Sequence, residues 1–197
     1  MTRGAALENL GCTLLRQGHY DEAIEAFEAA IASALGDSAP TISLADVYLE
    51  LGERPDYALE LTQAGARLKS KDWLSRNADR HMWGNLYGNQ AWAYARLGNR
   101  PAAEEALRLG FQKTDRRFMP GLAGFYYRAG RAMQALGDSA AAREYWDQAY
   151  RIDPQGGYGN LAARASREMD MQTEDRSLPD SWDSASAYAA NGGEYAI

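Results

Sequence analysis

Residues 14–27 read LLRQGHYDEAIEAF, and the same cadence returns three times: YLELGERPDYALEL at 48–61, YARLGNRPAAEEAL at 94–107 and MQALGDSAAAREYW at 133–146. In each, a segment of helical period ends at a glycine (Gly18, Gly52, Gly98, Gly137), and an Ala-rich segment of helical period follows. Glycine supplies the left-handed residue that closes a helix at no Cβ cost. Pro101 suits the first turn of a following helix. Asp21, Glu22, Glu104 and Glu105 lie near helix N-termini, where the macrodipole favours negative charge. The four glycines are 34, 46 and 39 residues apart. A helix–turn–helix unit recurring at about 34 residues signals a helical solenoid. No such unit can bury its apolar face alone, so the units must stack.

Around each glycine the side-chain sizes alternate. Gly11, Ala45, Ala91 and Gly130 are small positions on the first helices, and Ala23, Ala58, Ala103 and Ala142 are small positions on the second. Leu14, Tyr48, Tyr94 and Phe27 are large and fill what remains. Large and small residues at facing positions let helices interdigitate closely.

These residues resemble the tetratricopeptide repeat. The first repeat carries Leu7, Leu10, Gly11, Leu14, Gly18, Tyr20, Ala23, Phe27 and Ala30. The fourth carries Tyr126, Gly130, Met133, Gly137, Ala142, Trp146, Ala149 and Pro154, and the third Tyr87, Ala91, Tyr94, Gly98, Ala103, Leu107 and Gly110. The second is the weakest, with Leu44, Ala45, Tyr48, Gly52, Leu61 and Ala64, and its second helix is shifted by one residue around Pro55. The resemblance implies an all-α, right-handed helical solenoid of about four repeats, near residues 4–37, 38–68, 82–114 and 120–155. Tyr158, Leu161, Ala162, Ala165 and Met169 recur at helical spacing and predict a capping helix over 158–169, which completes an array over 1–169. Residues 170–197, rich in Ser, Asp, Gly and Asn, form an acidic tail expected to be disordered.

The rest of the composition narrows the class. No apolar run approaches the ~18 residues of a membrane span, and MTRGAALENLGCTLL lacks the apolar core of a signal peptide. The single cysteine, Cys12, excludes an internal disulfide framework and fits a reducing cytoplasm. The two histidines, His19 and His81, stand in no ligand-spaced motif, and no phosphate-binding glycine loop follows a strand. Neither an enzyme nor a cofactor or metal site is expected. Cys12, beside Gly11 on a repeat helix, reads as an inert thiol.

Charge is unevenly divided. Residues 1–68 carry 4 basic and 11 acidic side chains, residues 69–169 carry 16 and 10, and residues 170–197 carry 1 and 6. The tail, which bears Trp182, Tyr188 and Tyr195, is therefore complementary in charge to repeats three and four. The spacer RLKSKDWLSRNADRHMW at 67–83, together with Arg116, Arg117 and Phe118, could form a basic, aromatic ridge for single-stranded nucleic acid. The overall net charge of −6 argues against that reading.

The resemblance implies that the first helix of each repeat lines a concave groove that binds a protein or peptide segment. The implied partner-binding residues are Asn85, Asn89, Trp92, Arg96, Tyr127 and Arg131, with Glu8, Cys12, Ile42 and Asp46 on the preceding helices. Asn side chains can bond both N–H and C=O of an extended peptide, Arg131 can clamp a carboxylate, and Trp92 and Tyr127 offer flat anchors. Chaperone-binding members of the family hold a terminal carboxylate with a Lys and an Asn at the positions of Glu8 and Cys12, where an acidic residue repels it. The expected function is a non-catalytic, cytoplasmic interaction adaptor. The alternatives are a peptide-sensing piece of a larger bacterial-type regulator and the nucleic-acid ridge.

Overall fold

The computed structural model describes residues 2–33, 37–71, 82–114 and 116–177. Among them the chain forms nine helices and no strand. They are α1 (Arg3–Gln17), α2 (Tyr20–Ser33), α3 (Ala39–Leu51), α4 (Pro55–Lys71), α5 (Met82–Arg96), α6 (Arg100–Lys113), α7 (Met119–Ala135), α8 (Ser139–Ile152) and α9 (Gly157–Ser177). Consecutive helices pair as hairpins: α1 with α2, α3 with α4, α5 with α6, α7 with α8. The first helices also stack on one another, α3 on α5, α5 on α7 and α7 on α9, while α2 meets α3 and α4 meets α5. The result is an all-α solenoid of four helix pairs closed by a ninth helix.

The repeated glycines build four equivalent turns. Gly18, Gly52, Gly98 and Gly137 all have φ between 73° and 81°. At the first, Gly18 N–H donates to Leu15 O at 3.1 Å and His19 N–H to Leu14 O at 3.0 Å. The same two bonds recur at Gly52, Gly98 and Gly137, so each first helix ends in a Schellman motif. In three turns the second helix begins two residues after the glycine. After Gly52 it begins three residues later, at Pro55, and the added residue, Arg54, sits at φ 45°. Arg54 is steadied there by its guanidinium, 4.4 Å from the Tyr57 ring centre. Two arginines tie neighbouring turns together: Arg96 donates to the Gly52 carbonyl and Arg100 to the Leu136 carbonyl, both at helix C-termini.

Within a pair, size complementarity sets the approach. A Cβ on Gly11 would stand 2.8 Å from the Phe27 ring, and one on Gly130 would stand 2.3 Å from Trp146 Nε1. Phe27 and Trp146 are fully buried, and Trp146 Nε1–H donates to the Tyr127 carbonyl at 3.2 Å. In the middle pairs alanine replaces glycine at the small position, and Ala45, Ala58, Ala91 and Ala103 are fully buried. One apolar core runs from Ala23 and Phe27 to Met169, with a satellite of Ile42, Met82 and Leu86.

The final helix differs from expectation. It was expected over 158–169 with the tail starting at 170, yet α9 continues to Ser177. Met169 is buried at the end of the apolar stripe, and Asp170, the next residue, pairs with Arg143 of α8 at the surface. Residues 178–197 of the expected tail, and 72–81 of the spacer, lie outside the described residues.

Gly130→Ala is expected to lose about 1–3 kcal/mol in urea unfolding, because the added methyl displaces a fully buried indole. Gly18→Ala meets open space and should cost only about 1 kcal/mol, the strain of its positive φ. Hydrogen exchange in Gly130→Ala should quicken in α7 and α8 before α1 and α2.

Candidate functional site

The side-by-side first helices present one face, and its centre is an ion pair. Arg128 of α7 is 1% exposed. Its stem lies over Gly88 of α5, where any Cβ would stand 2.9 Å from it. All of its donors are engaged. Nε–H is shared between Asp46 Oδ1 at 2.8 Å and Asn89 Oδ1 at 2.7 Å. Nη1 donates to Asn85 Oδ1 and to the Gly124 carbonyl, and Nη2 to Asp46 Oδ2 at 2.6 Å and to the Tyr158 hydroxyl at 2.9 Å. The Asn89 amide group in turn donates to the Ile42 carbonyl at 3.1 Å. Burial opposes the guanidinium's charge, but the Asp46 carboxylate beside it holds its pKa above the ordinary arginine value. Burial pushes the Asp46 carboxyl up, against the opposing pull of Arg128.

A second polar cluster lies one turn along the same helices. Arg131 Nη2 donates to Glu50 Oε2 at 2.9 Å, and the Tyr127 hydroxyl donates to Glu50 Oε1 at 2.6 Å. The Arg131 guanidinium lies 5.2 Å from the Trp92 ring centre. Its Nε is the buried side-chain nitrogen without an acceptor among the described residues. Burial and then the Glu50 carboxylate hold the Tyr127 phenol well above its ordinary pKa.

The residues expected at the groove divide three ways. Asn89 is fully buried, and Tyr127 and Trp92 are 2% and 4% exposed, so all three serve mainly the interior. Asn85 and Tyr127 line a cavity of about 330 Å³. Its wall draws Glu8 and Cys12 from α1, Ser43, Asp46 and Glu50 from α3, Arg128 from α7, and Tyr158 and Leu161 from α9. Trp92, Arg96 and Arg131 line a separate pocket of about 290 Å³ with Glu50, Gly52 and Gln134. Of the earlier-helix candidates, Ile42 is fully buried in the satellite core and Asp46 is spent on Arg128. Glu50 and Arg128 carry no distinguishing sequence signal of their own, and Tyr158 reads from sequence only as a packing position of the closing helix. The available signal was glycine inside helices: Gly84, Gly88 and Gly124 mark places where something bulky crosses.

Cys12 faces the cavity as a neutral thiol. Burial, followed by the nearby Glu8 and Asp46 carboxylates, pushes its pKa up to about 11. Among the described residues no group of three or more His, Cys, Asp or Glu side chains is placed to hold a metal ion. Nor is any helix there long and apolar enough to cross a membrane. Of the basic ridge expected around the spacer, residues 72–81 lie outside the described residues; the Trp83 ring of that ridge has Lys113, which was not assigned to it, 5.0 Å from its centre.

Models of the tetratricopeptide repeat match residues 4–35, 85–108 and 123–155, which are the first, third and fourth helix pairs. With four equivalent Schellman turns and stacked first helices, the chain is a tetratricopeptide repeat protein. Repeats of this family are generally protein–protein interaction modules and typically non-catalytic scaffolds. A search of curated proteins finds no match to this chain.

Two measurements check the site. Asp46→Ala or Arg128→Ala should each cost about 3–5 kcal/mol in urea unfolding, because each strands a buried charge or its partners. Asp46→Leu with Arg128→Met should cost less than either, since no buried charge is left alone. A disulfide reagent at neutral pH should modify Cys12 about 100-fold more slowly in the folded chain than in urea, the consequence of a pKa moved from 9.0 to about 11. The folded rate should keep climbing tenfold per pH unit above pH 9, because only the thiolate attacks.

Proposed function

We propose that this chain is an interaction adaptor that receives a segment of a partner protein on the face formed by α1, α3, α5 and α7. The observation that carries this reading is the cavity of about 330 Å³, whose wall takes side chains from the first helix of all four repeats and from α9. A site assembled from every repeat is held rigid by the solenoid, and rigid preformed sites lose least to ordering on association. Asn85 and the half-buried Ser43 offer hydrogen bonds to a backbone, Leu161 offers contact area, and the neutral Cys12 adds soft apolar surface. With its thiol protonated and Asp46 and Glu50 paired to arginines, the cavity is suited to binding rather than bond-making. Asn89 and Trp92 support this face from beneath. Arg96 and Arg131 form a second, polar recess beside it. A cytoplasmic location accords with the lone, unpaired cysteine.

Blocking the cavity tests the reading, and Ser43→Trp does so without touching a buried charge. Peptides selected against the purified chain from a displayed library should bind Ser43→Trp at least about tenfold more weakly, a loss of about 1.4 kcal/mol. Glu25→Ala, on the exposed side of α2, should bind as the parent does. Selected peptides that lose affinity to Glu25→Ala and not to Ser43→Trp would place recognition elsewhere.

A further inference from the structure

A third concavity, of about 720 Å³, lies at the C-terminal end of the array, between α8 and α9. Trp146 forms its floor, and Tyr150, 47% exposed, and Leu161 form apolar walls. Its rim carries three arginines, Arg16, Arg164 and Arg167, against a single carboxylate, Asp147. Arg164 is shared with Glu168 at 3.6 Å, but both side chains are about half exposed and the pair is weak. Arg16 comes from α1, so the crevice bridges the two ends of the array. An apolar floor with a basic rim fits an acidic segment that carries aromatic side chains.

We infer that the occupant is residues 178–197 of this same chain. That stretch holds Asp180, Asp183 and Glu194, no Lys, Arg or His, and the side chains of Leu178, Trp182, Tyr188 and Tyr195. It follows directly on α9, whose own residues line the crevice. From Arg167 to Ser177 is ten residues, about 15 Å of helix. Extended chain covers about 3.3 Å per residue, so about five residues returning along α9 bring Trp182 and Asp183 level with Arg167. The residues that follow, up to Tyr188, reach past Arg164 toward Tyr150. A tether this short gives the segment an effective concentration of about millimolar, so even a weak contact is largely made. Arg16, Leu161 and Arg164 line both this crevice and the groove cavity. The inference does not depend on the groove's having a partner.

The test uses the full chain labelled with 5-fluorotryptophan. Its five tryptophans give separate fluorine signals, and Trp182→Phe identifies one of them. In the intact chain the Trp182 signal should lie away from that of a free 178–197 peptide, at any protein concentration. Arg164→Glu with Arg167→Glu, or salt at about 0.5 M, should move it most of the way to the free position. Asp180→Arg with Asp183→Arg, added to the reversed arginines, should move it back. The buried Trp92 signal, unmoved throughout, reports that the fold is intact. A Trp182 signal at the free position in the parent chain overturns the inference. So does a shifted signal that ignores the arginine reversal, which places the segment elsewhere. A shift that vanishes on dilution assigns the contact to a second copy and overturns it too.

Discussion

A guanidinium shut away from water must find an acceptor for every donor, and Arg128 takes its acceptors from four helices. Asp46 comes from α3, Asn85 and Asn89 from α5, the Gly124 carbonyl from its own helix and Tyr158 from α9. The hydrogen bonds of Arg128 span repeats two, three and four and the closing helix at once. Apolar packing in a solenoid is local and tolerates small slips between neighbours. A hydrogen-bonded charge does not, because a displaced partner leaves a buried ion uncompensated. The pair therefore sets the register of the stack, and the glycines at 88 and 124 exist to let it in.

That constraint governs the candidate site. The side chains best suited to holding a peptide backbone, the asparagines, face the arginine first. Asn89 has both ends of its amide engaged within the fold. Glu50 does the same service one turn along, taking Arg131 and Tyr127 together. The groove that remains is smaller, neutral in its pairing, and bounded at one end by Tyr158 and Leu161 of α9. Charge reversal at Arg131 would set two carboxylates against each other in the interior, so a change at Ser43 is the cleaner probe of the groove.

The two pockets of this face meet at Glu50, which lines both. A partner spanning them would cross from a cavity walled by α1 and α9 to one walled by arginines on α5 and α7. Movement of α9 would alter the first and leave the second, since α9 reaches only the cavity side. The closing helix is thus more than a lid on the core. It supplies Tyr158 to the central network and Leu161 to the groove wall, while its far side forms the crevice with α8.

What could be read from the sequence was what depends on local chemistry. The four turns follow from glycines that alone adopt φ near 75°, and the helix pairs follow from Gly or Ala facing Phe, Trp or Leu at fixed spacing. Even the shifted second pair showed itself, in Pro55 standing one residue late. The length of α9 did not, because its last turns follow the last buried apolar residue, Met169, and carry no apolar stripe for periodicity to reveal. Nor could the sequence assign the polar side chains of the first helices. A residue on that face can point into the groove or toward the next repeat, and one turn's difference in stacking decides which. Asn85 fell on the open side, and Asn89, Trp92 and Tyr127 on the closed one. The partner that made the decision, Arg128, lies 82 residues from Asp46, and no spacing rule reaches so far. Local propensity determined the repeats of this protein. Only the stacking of those repeats, which brings distant charges within hydrogen-bond distance, determined which surface was left to bind.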